Sequence, residues 1–453
     1  MLRFSPPSKA RLTEGDIAPT LVRLTIPMFF GIIAMIAFNL VDTYFVGQLG
    51  TRELAAISFT FPVVMILNSL TLGLGAGASA VISRAIGEGD PHQVRRLTTD
   101  ALSLSLLIVA LMATVGFLTI DPVFRLLGAD EQTMPLIHAY MRIWYSGTIF
   151  VVVPMVGNNA IRATGDTKTP SLVMLVAVAV NIILDPVLIF GLGPVPRLGI
   201  AGAAIATVCA RATTFFVALW VLYRREKMIT LEIPGLQEGF ASWRKILYIG
   251  LPVGGTNIIV PLSSGIITSL VASYGTEAVA GFGVGTRVEA FTLTVLFALN
   301  SVMSPFVGQN WGAQQYDRVE RGIRYSQRFA FLWGGVMWLG LLVCGPQVAR
   351  VFNPDPMVIA TAVLYFSIAP IGYGLQGVLL LSNTCLNVLN RPFHSSLLTV
   401  IRVFGIYIPL AYLGSYLFGL QGIFGAFVIS NMLTGSASYW WLQRVLRLEV
   451  TTS

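Results

Sequence analysis

Twelve apolar runs, each of membrane-spanning length, constrain this chain more than any other feature of it. A helix rises about 1.5 Å per residue, so about twenty predominantly apolar residues cross a hydrocarbon core about 30 Å thick. Divided by polar or Gly/Pro breaks, the runs lie at 17–46, 53–83, 95–119, 132–160, 169–190, 199–223, 244–273, 278–308, 320–344, 357–388, 393–415 and 421–443. Several exceed the minimum, which predicts tilt or extension beyond the bilayer. A transmembrane β-barrel would show short alternating segments instead, and none are present. Of the 453 residues, 55% are hydrophobic and only 11% charged, where a soluble chain carries about 25% charged residues. The expected fold class is an all-α membrane protein with the lipid bilayer as its solvent.

The connecting segments alternate in charge. Twenty Lys and Arg fall in one set, with the N-terminus (Arg3, Lys9, Arg11), the segment around Arg224, Arg225 and Lys227, and Arg444 and Arg447. The opposite set holds four: Arg52, Arg125, Arg197 and Arg350. Basic residues are retained on the cytoplasmic side, so both termini and the central loop are expected there. The net charge of +8 therefore reads as topology rather than as a nucleic-acid surface. Met1–Asp16 is polar and mixed in charge, unlike a cleaved signal. The expected location is the inner (plasma) membrane of a bacterium or archaeon.

The most polar internal segment falls at the midpoint and divides a repeat. Shifting the chain by 225 positions aligns Pro27 with Pro252, Gly50-Thr51 with Gly275-Thr276, Arg96 with Arg321, Arg125 with Arg350, Tyr140 with Tyr365 and Asn158 with Asn383. Matches of Pro, Tyr, Asn and Arg at one fixed shift carry more information than matches of Leu or Ala in an apolar chain. Each half has six helices, an even number, so both enter from the same side. The expectation is two six-helix lobes related by a pseudo-two-fold along the membrane normal. They comprise 1–225 and 244–453, joined by a cytoplasmic loop at 226–243. A site between the lobes and alternating access follow from that plan.

Several chemistries find no residues to carry them. Cys209, Cys344 and Cys385 lie within apolar runs, which suggests neither disulfides nor a metal site. His92, His138 and His394 are scattered without ligand spacing. No G-x-x-x-x-G-K-[ST] is present for ATP. No cofactor and no nucleic-acid partner are expected, and the expected oligomeric state is a monomer.

Against this background Asp42 stands out as the only formal charge between Arg23 and Arg52. A carboxylate in such a run costs a few kcal/mol or more and reads as functional by default; the alternative is a helix end already at the water interface. Asp185 repeats the situation in the fifth run, with Asn181 four residues earlier on the same helical face. Asp42, Asp185, Thr207 and Tyr140 each lie roughly 8–12 Å below the outer end of their helix at about 1.5 Å per residue. Two carboxylates, an amide, a hydroxyl and a phenol at one depth suit a hard cation, and a dry pair of acids resists full ionisation. Na⁺ or protons would relieve the repulsion. The competing reading is a polar cluster that only locks helices together. At the 225-residue shift Asp42 falls on Ile267 and Asp185 on Leu410, so an ion site built on them belongs to the first half alone.

Other polar residues leave readings open. Pro27 and Pro186 remove backbone hydrogen bonds and favour bends. Asn158, Asn159 and Asn383 suit either a cavity lining or helix–helix bonds. Arg287 and Glu289 with Arg402, and His138 with Arg142, read as structural pairs.

Together these residues resemble the multidrug and toxic compound extrusion (MATE) transporters over about Leu21 to Arg444. Ile26-Pro27, Asn39-Leu40-Val41-Asp42, Asn158 with Arg162-Ala163-Thr164-Gly165-Asp166, Asn181-Ile182-Ile183-Leu184-Asp185-Pro186 and Gly199 to Thr207 carry the likeness. The prokaryotic DinF-like branch is the best match, because the NorM-like branch uses acids on the seventh and tenth helices and this chain has none there. The resemblance implies that Asp42, Tyr140, Asn181, Asp185 and Thr207 form a cation or proton site and that Pro27 bends the first helix. If the ion is Na⁺, Asp42, Asn181, Asp185 and Thr207 would ligate it. Asn39, Asn158 and Asn383 are the candidates for the substrate cavity. The implied activity is export of organic cations and amphipathic drugs against an inward H⁺ or Na⁺ gradient. The alternatives are a lipid-linked oligosaccharide flippase, which would want a strongly basic cavity, and a membrane-embedded enzyme using the two acids.

Overall fold

The computed structural model describes residues 10–193, 195–232 and 235–452. Arg3 and Lys9 of the basic set, and two positions of the central loop, lie outside them. Helices account for nearly every described residue, and no strand occurs among them. In chain order they are α1 (Ile17–Gly47), α2 (Thr51–Glu88), α3 (Pro91–Leu126), α4 (Met134–Ser146), α5 (Ile149–Ala163), α6 (Lys168–Phe190) and α7 (Ile200–Trp220). A π-helical turn at Val221–Arg225 extends α7. The second half comprises α8 (Leu236–Ala272), α9 (Thr276–Gly312), α10 (Tyr316–Phe352), α11 (Pro356–Ile368), α12 (Tyr373–Val388), α13 (Pro392–Val400), α14 (Ile408–Phe418) and α15 (Leu420–Thr452). A 3₁₀ turn at Ala369–Gly372 joins α11 to α12, and a π-helical stretch at Ile401–Tyr407 joins α13 to α14.

These segments correspond to the twelve apolar runs. Among the described residues, ten helices are long and apolar enough to cross a bilayer, counting α11–α12 and α13–α14 as one each. The pair α4–α5, bent by 43° at its break, adds an eleventh. The twelfth run lies within α15. The molecule is a multi-pass membrane protein.

Local chemistry explains the boundaries. Asp90 and Asp355 precede Pro91 and Pro356 and cap α3 and α11, each accepting two backbone N–H bonds of the first turn. Such caps satisfy donors that have no intrahelical partner, and proline at the first position loses nothing. The repeat is visible in the helices themselves. Shifted by 225, the start of α2 falls on the start of α9, the start of α3 on that of α10, and the α4–α5 break on the turn before α12.

The chain divides into two compact units. Unit 1 comprises Ile26–Gly254 and the short segment ending at Arg11; unit 2 comprises Leu12–Thr25 and Gly255–Ser453. Both internal boundaries fall inside helices, in α1 beside Pro27 and in α8 close to Pro252. Each first helix of a repeat therefore changes unit near the equivalent proline.

A charged network closes one end of unit 1. Asp166, between α5 and α6, accepts bonds from the Thr169 amide (3.0 Å) and hydroxyl (2.6 Å) and pairs with Arg225. Arg225 also pairs with Glu226 at 2.9 Å, and Glu226 with Arg11 at 3.3 Å. Burial pushes the Asp166 carboxyl up, but the bonds from Thr169 and Arg225 outweigh it and hold the group below the ordinary carboxylate range. Arg162 of the same motif bonds Asn159 at 2.6 Å.

Candidate functional site

The polar layer lies within unit 1, on α1, α4, α6 and α7. The loop after α6 sets its frame. Gly191 ends α6 in the left-handed region at φ +77°, and the chain folds back so that the Leu198 and Gly199 amides donate to the Leu188 and Ile189 carbonyls (both 3.1 Å). Gly202, in the first turn of α7, then stands against the Leu188 backbone, where an added Cβ would collide. This close approach brings the C-terminal half of α6 and the N-terminal half of α7 together. Tyr140 reaches the layer from α4, which packs on α7 through Ile137, Met141, Ile200 and Ala204.

Asn181 and Asp185 are fully buried, and Asn181 Nδ2 donates to Asp185 Oδ1 at 3.1 Å. Asp185 Oδ2 is buried without a protein hydrogen-bond partner. So are Asp42 Oδ1, Asn181 Oδ1 and Thr207 Oγ1. The Thr207 hydroxyl interacts with Asp42 from just outside hydrogen-bond geometry. The charges of Asp42 and Asp185 interact with each other, and the buried Tyr140 phenol feels both. Buried oxygens are normally satisfied. Four acceptor-capable oxygens left over in one layer have the chemistry of a site for a proton or a hard cation.

Helical spacing gives the site a layered cross-section. Val46, Ile189 and Ala203, all 0% exposed, form a small apolar cluster. Each lies four residues from Asp42, Asp185 or Thr207 on the same helix, so the cluster covers the polar layer one turn towards Gly47. One turn in the opposite direction, the Arg211 guanidinium lies over the Phe38 ring at 4.7 Å and interacts electrostatically with Asp42. Arg211 is a basic residue inside an apolar run, a feature that composition alone leaves without a role. Its spacing, four residues after Thr207, was the available signal.

The remaining candidates are placed differently. Asn39 is exposed on α1, and its backbone carbonyl accepts from the Thr43 hydroxyl at 2.8 Å. Asn158 is buried in α5 with Oδ1 unpartnered. Asn383 donates to Thr399 at 3.2 Å within unit 2. Pro27 lies inside α1 and Pro186 inside α6.

One expected pair does not form, and the pairing of Glu289 with Arg402 is electrostatic, without a direct bond. His138 bonds Asp121 at 3.0 Å rather than pairing with Arg142, because α3 lies alongside α4. In unit 2, Glu289 on α9 accepts from the Tyr365 hydroxyl and from Gln376 Nε2 at 3.4 Å, while Arg402 donates to Asn431 at 3.0 Å and Arg287 is exposed. Tyr365 is the repeat partner of Tyr140. Each half thus sets its repeated tyrosine beside an acid, although the acids arise from different helices. The positions equivalent to the two aspartates are apolar, and Ile267 is 0% exposed.

The repeat also marks the relation to known proteins. The MatE family model matches this chain twice, over 27–187 and again over 252–413. The chain belongs to the MATE family, whose members are transporters and not enzymes. An FAD transporter of Shewanella oneidensis is 38% identical over 98% of both chains. A probable multidrug resistance protein of Bacillus subtilis, YoeA, is 27% identical over 92% of this chain and 93% of its own. Among solved structures, the Vibrio cholerae MATE transporter VcmN in its bent form superposes with a TM-score of 0.90 at 30% identity, covering 96% of this chain and 98% of the other.

Proposed function

We propose that this MATE transporter is a secondary antiporter of the bacterial or archaeal plasma membrane, with both termini cytoplasmic. It exports cationic and amphipathic drugs in exchange for H⁺ or Na⁺ by alternating access. The observation that supports this reading is the buried Asp185 and the half-buried Asp42, whose charges interact and which each leave a buried oxygen unpartnered. In this reading Asp42, Asp185, Asn181, Thr207 and Tyr140 form the ion site. An ion arriving there neutralises the acids, α1 bends at Pro27, and the state that releases drug is favoured. Only an ion that binds the two states with different affinity can drive that change. Asn39, Asn158 and Asn383 are assigned to the substrate path. A proton satisfies one carboxylate, whereas Na⁺ would use oxygens of Asp42, Asn181, Asp185 and Thr207.

A second reading concerns the cargo. The 38% identical relative is named an FAD transporter, which favours a flavin dinucleotide as the exported molecule in this chain too. One experiment separates the readings: uptake of ethidium, norfloxacin and flavin adenine dinucleotide into inverted vesicles, with the pH and Na⁺ gradients imposed separately. Uptake of a drug driven by either gradient supports the first reading. Uptake of the dinucleotide alone supports the second. Absence of gradient-driven uptake of all three would overturn both.

A further inference from the structure

Unit 2 carries a basic, aromatic groove lined by none of the residues assigned above to the ion site or the substrate path. It lies between the first turns of α10 and the last turns of α15, on the side that the Lys/Arg asymmetry assigns to the cytoplasm. The groove encloses about 570 Å³ and is lined by Arg324, Arg328, Arg444 and Arg447 with Trp440 and Glu320. Glu320 is already paired with Arg324. The arginines are spaced four apart on α10 and three apart on α15, so each helix presents its pair on one face. Arg444 lies over the Trp440 ring at 5.8 Å. A second cavity of about 320 Å³ continues from it along α15, past His394, Trp441 and Arg391.

We propose that this groove holds the phosphodiester headgroup of an anionic phospholipid of the cytoplasmic leaflet. Guanidinium forks match phosphate oxygens in pairs, and basic pockets between membrane helices on this side take anionic headgroups. The aromatic residues identify a lipid rather than a free phosphate. Trp440 is 64% exposed and Tyr439 46% exposed, beside Leu448 at 57%. Exposed Trp and Tyr at a helix end occupy the headgroup level, where one edge of the ring is wet and the other touches acyl chains. A lipid would engage both the guanidinium groups and this apolar border, while inorganic phosphate would engage the guanidinium groups alone.

The test uses the full chain, purified and delipidated in detergent. Native mass spectrometry and thermal melting are followed with added phosphatidylglycerol, phosphatidylcholine and inorganic phosphate. Phosphatidylglycerol should be retained preferentially and should raise the melting temperature. Each arginine near a charged headgroup contributes about a five-fold gain in affinity. Arg328→Gln with Arg444→Gln should therefore weaken phosphatidylglycerol binding about 25-fold, and Arg328→Lys with Arg444→Lys should restore it only in part, because an ammonium keeps the charge but lacks the fork. Equal retention of the two lipids by the wild type, or equal stabilisation by inorganic phosphate, would overturn the proposal. So would unchanged phosphatidylglycerol binding in the glutamine variant. If that variant does not fold, the comparison of the three additives on the wild type decides the matter.

Discussion

Replacing Asp185 by Asn removes one charge from the polar layer and leaves its shape. Asp185 is fully buried, one oxygen is held by Asn181 at 3.1 Å, and the other has no protein partner. Asn keeps one acceptor but loses the charge, and it offers an amide N–H₂ where the second oxygen stood. A contact to a charged group is worth about 1.5–3 kcal/mol. Losing it corresponds to about 10- to 150-fold in cation affinity, at about 1.4 kcal/mol per ten-fold. Water does not soften this loss on the Gly47 side, since Val46, Ile189 and Ala203 close that side with apolar groups. The assay is ethidium or norfloxacin uptake into inverted vesicles, titrated with Na⁺ or with a pH gradient while expression is checked by immunoblot. Half-saturation for the coupling ion should rise at least ten-fold in Asp185→Asn. Asp42→Asn, which removes the acid beside Thr207 and Arg211, should abolish coupled uptake without loss of expression. Wild-type half-saturation for both ions in a well-expressed Asp185→Asn protein would refute the reasoning.

Three further outcomes follow from the same geometry. Ile267→Val, at the repeat equivalent of Asp42, should cost about 0.5–1.5 kcal/mol of stability and leave ion coupling within two-fold by the same vesicle titration; loss of coupling as complete as in Asp42→Asn would contradict a one-sided ion site. Gly202→Ala forces a methyl against the Leu188 backbone, so it should destabilise by about 1–3 kcal/mol, read as a lower melting temperature in detergent together with slower uptake. Asp166→Asn should cost about 1–3 kcal/mol at neutral pH. Because folding lowers the Asp166 pKa, its contribution is fully present above about pH 4 and disappears as the pH falls further, so the gap in melting temperature between wild type and variant should close in acid.

Hydropathy is a local sum, and whatever depends on local sums could be read from the chain alone. Each apolar run is a helix because its backbone can hydrogen-bond only to itself in lipid. The 225-residue repeat was legible because Pro, Tyr, Asn and Arg are rare enough in such runs for coincidence to be informative, and the helix boundaries and the doubled family match follow it. Asp42 and Asp185 were conspicuous because an acid in an apolar run is costly wherever its helix packs. Which side chains meet depends instead on how each helix is rotated and how closely it approaches its neighbours. The side-chain pattern of one span carries no record of the rotation of the next. That is why Arg211 over Phe38, the apolar cap of Val46, Ile189 and Ala203, and the Glu289–Tyr365 bond, with Arg402 bonded to Asn431 and reaching Glu289 through its charge alone, appeared only in the tertiary structure. The same holds for the passage of α1 and α8 from one unit to the other beside Pro27 and Pro252. Proline announces a weak point in a helix, but the packing of the residues on either side determines what each segment joins.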